Sequence, residues 1–91
     1  MEIIERFVKL IDKRDRLVQM HFGGEMSTML NFPEEREWYA NNISPIDKKL
    51  IKLAKIILPN EQFKHIANVY NNEFLINKYK GYKLKNQEPQ R

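Results

Sequence analysis

Apolar side chains near the N-terminus recur every three or four residues: Ile4, Phe7, Val8 and Ile11. This is the period of a helix with one buried face, and it predicts a helix over residues 2–14. Residues 12–16 then place five charged side chains in a row, and Asp15 stands where the apolar stripe would continue. We therefore expect the first helix to end in this charged run.

Beyond the charged run, alternate positions are mostly apolar on both sides of a glycine pair: Val18, Met20 and Phe22 before it, and Met26, Thr28, Leu30 and Phe32 after it. Such alternation is typical of strands, and glycine adopts the positive φ that a three-residue hairpin loop needs. A loop of residues 23–25 keeps one face of the two strands apolar. The pattern predicts a β-hairpin. The alternative is a first helix that continues to Phe22, since Leu17, Val18 and His21 also fit helical spacing.

Two helices in the middle of the chain are marked by proline. Pro33 suits a first helical turn, because the N–H that it lacks would be unpaired there. Asn41 and Asn42 suit the end of that helix. Ser44 is the expected N-cap of the next helix, which Pro59 ends.

The C-terminal part has the spacing of a helix-turn-helix unit. Asn60 is the expected N-cap of a helix whose apolar stripe covers residues 63–70. Residues 71–72 would form the turn, and residues 73–80 would form a recognition helix that Gly81 ends.

These elements predict one α+β domain that is mostly helical. An N-terminal helix and one β-hairpin precede three to four helices, which pack on the apolar face of the hairpin. The compact domain spans residues 1–84, and residues 85–91 form a polar tail that we expect to be disordered. The expected core consists of Ile4, Phe7, Val8, Ile11, Val18, Met20, Leu30, Trp38, Ile46, Leu50, Leu53, Ile57, Phe63, Ile66, Ala67, Tyr70 and Phe74.

The composition excludes several classes of protein. The 91 residues contain no cysteine, so disulfides and thiolate zinc sites are excluded. No apolar run is long enough for a membrane span, and the acidic N-terminus does not resemble a signal peptide. We therefore expect a cytoplasmic protein.

The candidate catalytic residues form no recognisable pattern. The only histidines, His21 and His65, are not part of an H-E-x-x-H motif. Ser27 lacks the glycine elbow of a nucleophilic serine, and Gly23-Gly24 is not followed by the Gly-Lys-Ser/Thr of a phosphate loop. The sequence predicts a protein that is not an enzyme and has no metal or cofactor.

Charge is unevenly distributed along the chain, whose net charge is +4. Residues 1–45 contain six cationic and eight anionic side chains, and residues 46–91 contain ten and four. Lysines track phosphates and tyrosines stack on bases, so the basic half predicts a nucleic-acid site. The predicted site consists of Lys48, Lys52, Lys55, Lys78, Tyr79, Lys80, Tyr82, Lys83 and Lys85.

The functional hypothesis is that the chain is a small regulatory protein that binds nucleic acid, with DNA as the first candidate. The alternative is an inhibitor or adaptor that docks on a larger host protein through exposed apolar side chains such as Met26 or Met29. A homodimer is compatible with both. Lysines on a helix are also an ordinary solvated surface, which needs no partner.

If the basic half contacts about five phosphates, affinity for nucleic acid falls by about tenfold or more over a few-fold rise in salt. A binding titration at several salt concentrations measures this slope. Binding without a salt slope, or no binding at low salt, would contradict the nucleic-acid hypothesis.

Overall fold

The computed structural model describes residues 2–87, with side chains up to residue 85. In this part of the chain there are six helices and no strand, so the predicted β-hairpin and the α+β class are wrong. The helices are α1 (Ile3–Phe22), α2 (Met26–Met29), α3 (Pro33–Asn42), α4 (Ser44–Ile57), α5 (Ile66–Asn71) and α6 (Glu73–Gln87).

The charged run does not end α1, because two of its members have partners on other helices. Arg14 pairs with Asp47 of α4, and Asp12 pairs with Lys83 of α6. The helix therefore continues to Phe22, which is buried. This is the alternative that the spacing of residues 17–22 had left open.

The glycine pair ends a helix and does not turn a hairpin. Gly23 has φ 59° and ψ 27°, and its N–H donates to the carbonyl of Gln19 at 2.9 Å. Gly24 follows with φ 94°. A helix end and a hairpin loop both need positive φ, so glycine alone does not distinguish them. Met20, which the hairpin would bury, is 79 % exposed.

The core lies where α1, α4, α5 and α6 meet. Its buried side chains include six that the sequence predicts: Phe7, Val8, Ile11, Ile46, Leu50 and Phe63. Ala67 and Phe74 were expected in the core but are exposed. Leu75 is buried in place of Phe74, because α6 turns the neighbouring position inward.

The helix boundaries also differ from the prediction around α4 and α5. Ser44 is the first residue of α4, its side chain makes no capping bond, and the N-cap position belongs to the buried Ile43. Residues 58–65 contain no α-helix, so Asn60 is not a helix cap.

The predicted break at residues 71–72 is confirmed. Asn72 alone separates α5 from α6, and its side-chain oxygen accepts a hydrogen bond from the N–H of Leu75 at 3.2 Å. With six residues in α5 and a one-residue link, the helix-turn-helix interpretation is wrong, because that unit joins its helices by three or four residues.

Helix α6 passes through Gly81 and continues to Gln87, so the predicted stop at Gly81 is also wrong. Of the predicted tail, residues 88–91 lie outside the described residues.

A cluster of side chains around Arg14, which we call the Arg14 cluster, joins four helices at one point through hydrogen bonds and one ring contact. Arg14 Nε donates to Asp47 Oδ1 at 2.5 Å, and its Nη2 donates to the hydroxyl of Tyr39 at 2.9 Å. That hydroxyl donates to Asp47 Oδ2 at 3.0 Å. The guanidinium carbon also lies 5.3 Å from the ring centre of Tyr70. Burial lowers the pKa of Arg14, but the hydrogen bond with Asp47 and the nearby charges outweigh it, so the pKa is raised.

Replacing Asp47 with alanine leaves the guanidinium of Arg14 poorly solvated and without its carboxylate. Because the two side chains are only 11 % and 13 % exposed, we expect the free energy of unfolding to fall by about 3 kcal/mol. Urea denaturation measures the change. As a control, Asp12→Ala removes a more exposed ion pair and one hydrogen bond from Tyr79, and it should cost less, about 1–2 kcal/mol. Equal losses in the two variants would contradict the central role of the Arg14 cluster.

Candidate functional site

The predicted lysines of α4 lie together on one exposed face. Lys48, Lys52 and Lys55 are all exposed and fall within about 60° of each other around the helix axis. This arrangement allows them to contact one partner at the same time.

The predicted residues of α6 do not share a face. Lys78 and Lys85 are separated by about 140° or more around the helix from Lys83, which faces α1. The ammonium of Lys78 lies 5.1 Å from the ring centre of Phe74 on its own helix. The basic side chains of α4 and α6 therefore do not form the single patch that the charge distribution suggests.

Two of the predicted binding residues instead attach α6 to α1. The hydroxyl of Tyr79 donates to Asp12 Oδ1 at 2.9 Å, and Lys83 Nζ lies 2.9 Å from the same oxygen. Hydrogen bonds with Tyr79 and Asp12 raise the pKa of Lys83. Tyr82 is half-buried, whereas Lys80 and Lys85 are exposed. The polar groups of Tyr79 and Lys83 are thus bonded to Asp12 within the fold.

An open groove of about 530 Å³ lies between α1 and α4, in a place that the charge distribution did not indicate. Its floor is aliphatic and consists of Leu10, Leu53 and Ile56. Its rim is cationic and consists of Arg6, Lys9, Lys49 and Lys52. No acidic side chain lines it in the described part of the chain. We call this feature the α1–α4 groove.

The cations of α1 were missed because they belong to the half of the chain with more acids than bases. Four of the eight acids of that half lie beyond the end of α1, at residues 25, 34, 35 and 37. Arg6, Lys9, Lys13 and Arg16 follow a three-four-three spacing, which places them within about 80° on the side away from the core. This spacing is the sequence signal that could have found the basic face of α1.

The rim of the groove keeps its positive charge. Among residues 2–85, the ion pairs are Arg14 with Asp47 and Lys83 with Asp12, and His21 contacts Glu35. None of them includes a cation of the rim. A concave apolar surface edged by unpaired cations attracts an anionic partner and orients it.

The histidines offer no catalytic arrangement. His21 Nε2 lies 2.5 Å from Glu35 Oε2, and its ring stacks on Trp38 with centres 3.6 Å apart. These contacts hold the end of α1 against α3, and His65 is exposed on the surface. In the described chain no three metal-ligating side chains come together, and no helix is long and apolar enough to cross a membrane.

A smaller cleft of about 280 Å³ lies between α1, α5 and α6. Its polar members are Asp15, Tyr70, Tyr79 and Lys80, and the rest of its lining is apolar. Burial raises the pKa of Tyr70 to about 12, although the positive charge of Arg14 opposes this shift. We call this feature the α5–α6 cleft.

Comparisons of the chain with protein-family models, with curated proteins and with solved structures find no match.

The raised pKa of Tyr70 predicts a loss of stability at alkaline pH. Between pH 10 and about 12 the folded chain keeps the tyrosine proton and the unfolded chain releases it. The contribution of Tyr70 to the free energy of unfolding is therefore complete below pH 10 and is lost as the pH rises through the folded pKa. Absorbance titration of wild type and Tyr70→Phe, with stability measured across the same range, tests this. Tyr70→Phe should lack the tyrosine titration step that occurs at the highest pH, and its free energy of unfolding should fall less steeply with rising pH. If that step is unchanged in the variant, the raised pKa does not belong to Tyr70.

Proposed function

We propose that this chain is a non-enzymatic docking protein, an adaptor or inhibitor, that binds an acidic amphipathic helix of a partner protein in the α1–α4 groove. One observation carries the proposal: an aliphatic floor lies between cations that come from two helices, without an acidic side chain in the lining.

The floor supports a protein partner. Leu10, Leu53 and Ile56 offer aliphatic contact surface, and Ile56 is 57 % exposed. Charged phosphate groups gain nothing from contact with aliphatic side chains, whereas an amphipathic helix buries its apolar stripe in a groove of this kind. Along α4 the lining extends from Lys49 to Ile56, which is roughly 10 Å at the rise of an α-helix. That length suits about two turns of a docked helix.

The rim supports an acidic partner. Two of its cations stand on α1 and two on α4, so glutamates or aspartates on both flanks of a docked helix can be paired. Charge pairs at the rim mainly raise the association rate and fix the orientation of the partner, while the floor supplies the buried area.

Nucleic acid is the second candidate, because cations extend past the groove along α1. Arg6, Lys9, Lys13 and Arg16 span roughly 15 Å of one helix face, enough for two or more phosphates. In this case the phosphates contact cations of α1 and α4 instead of those of α6. No aromatic ring lines the α1–α4 groove in the described structure, which disfavours stacking on bases.

A designed peptide pair tests the groove. One labelled peptide carries leucines at helical spacing flanked by glutamates, and the other carries lysines in place of the glutamates. Fluorescence anisotropy should show binding of the acidic peptide alone. Lys49→Glu with Lys52→Glu should weaken it by about tenfold or more, because two attractive pairs become repulsive. The matched control is Lys64→Glu with Lys85→Glu, which changes the net charge equally at exposed sites outside the groove and should have less than about a twofold effect.

Ile56→Asn separates the two candidate functions. Loss of apolar contact should weaken the acidic peptide several-fold and leave an oligonucleotide unaffected, because phosphate contacts do not use the floor. If an oligonucleotide binds more tightly than the acidic peptide and Ile56→Asn changes neither affinity, the docking proposal is wrong and nucleic acid replaces it. Equal binding of the acidic and the basic peptide would also refute the docking proposal.

A further inference from the structure

A second open hollow, of about 270 Å³, lies on the exposed side of α1 beside the α1–α4 groove. Lys9 lines both features. Leu10 of the groove floor and Leu17 of the hollow are seven residues apart, so they are separated by only about 20° around the helix axis and by roughly 10 Å along it. The apolar floor of the groove therefore continues along α1. We call this second feature the α1 hollow.

The α1 hollow has an apolar part formed by Leu17 and Met20. Leu17 is half-buried and packs against the core, which fixes its position. Met20 is 79 % exposed, the largest exposed fraction among the large apolar side chains of the described residues. The flexible thioether of a methionine adapts to different partners, and its sulfur makes favourable contacts with the edges of aromatic rings.

The α1 hollow is also cationic. Lys9, Lys13 and Arg16 line it and are exposed, and none of them belongs to an ion pair among residues 2–85. Its acidic member, Asp12, is bonded to Lys83 and Tyr79 of α6. Free cations of this kind attract carboxylates, and a lysine or arginine can also lie over the face of an aromatic ring.

We infer that the docked helix of the partner continues past the groove and places an aromatic side chain in the α1 hollow, next to Leu17 and Met20, with acidic neighbours facing Lys13 and Arg16. This inference rests on the proposed docking function, because the same partner helix occupies both features. A cavity of about 150 Å³ accepts benzene, so the hollow has room for one aromatic ring. The spacing of Leu10 and Leu17 places the ring about two helical turns from the leucines in the groove.

The charges along α1 also set the direction of the docked helix. Glu2 and Glu5 stand at the N-terminal end of α1, whereas Lys13 and Arg16 stand beyond the groove in the other direction. The N-terminus of a helix carries a positive partial charge and its C-terminus a negative one. The docked helix is therefore parallel to α1, and its aromatic residue lies on the C-terminal side of its leucines.

Two pairs of labelled peptides test this inference on the full chain. In the first pair the acidic leucine peptide is extended at its C-terminal end by two turns with glutamates, and phenylalanine or alanine stands seven residues after a leucine. In the second pair the same extension precedes the leucines. Fluorescence anisotropy should show about tenfold tighter binding of phenylalanine than of alanine in the first pair, since a buried aromatic side chain dominates such contacts. The second pair should differ by less than about twofold.

Variants of the α1 hollow should reduce this preference. Met20→Ser should lower the phenylalanine-to-alanine ratio of the first pair to about twofold, without a change in charge. Lys13→Gln with Arg16→Gln should lower it to about threefold. The matched control, Lys64→Gln with Lys85→Gln, removes two exposed cations elsewhere and should leave the ratio unchanged. Binding of the unextended acidic peptide by Met20→Ser at wild-type affinity verifies that this variant is folded.

Several results would overturn the inference. Equal affinity of the phenylalanine and alanine peptides in the first pair would show that the α1 hollow holds no aromatic anchor. An equal or larger preference in the second pair would contradict the direction of the docked helix, and an unchanged ratio in Met20→Ser would place the ring elsewhere. If the unextended acidic peptide binds and the aromatic extension adds nothing, this inference alone fails. If the unextended peptide does not bind, the docking function fails and this inference fails with it.

Discussion

The pairing of Arg14 with Asp47 is the contact on which the arrangement of helices depends. It lies at the middle of α1 and joins that helix to α4, and through Tyr39 and Tyr70 it also reaches α3 and α5. An arginine that points into the structure costs free energy unless a carboxylate and further acceptors satisfy it. Here both are present, so the charged run becomes a specific junction between helices and α1 remains unbroken over 20 residues.

The α1–α4 groove and the α5–α6 cleft both follow from an α1 that is long and central. Because α1 packs against both α4 and α6, Arg6 and Lys9 stand beside the lysines of α4 at the groove, and Asp12 and Asp15 face α6. Asp12 holds α6 through Tyr79 and Lys83, while Asp15, one turn further along, faces the cleft without a partner. One helix thus separates a groove with a basic rim from a small cleft with mostly apolar walls.

Packing of the helices groups the cationic side chains differently from their order along the sequence. Counting along the sequence assigns cations to the second half, but charges separated by helical spacing belong to faces and not to halves. Lys83 stabilises the fold and Lys78 and Lys85 are directed elsewhere, while Arg6 and Lys9 join Lys49 and Lys52 around one groove. The aliphatic floor of that groove makes a docked helix a better match than a phosphate backbone.

The amino-acid sequence by itself determined the apolar stripes of α1 and α4, the helix that begins at Pro33, and the break at Asn71-Asn72, because periodicity and local backbone preferences act over a few residues. It did not determine where α1 ends: the glycine pair fits a helix end and a hairpin loop equally well, and the choice depends on partners for Arg14 and Asp12 that lie more than 30 residues away. The groove and the cleft were decided by tertiary structure alone. Each one exists only where side chains of distant helices are brought together, and no spacing along a single helix encodes that contact.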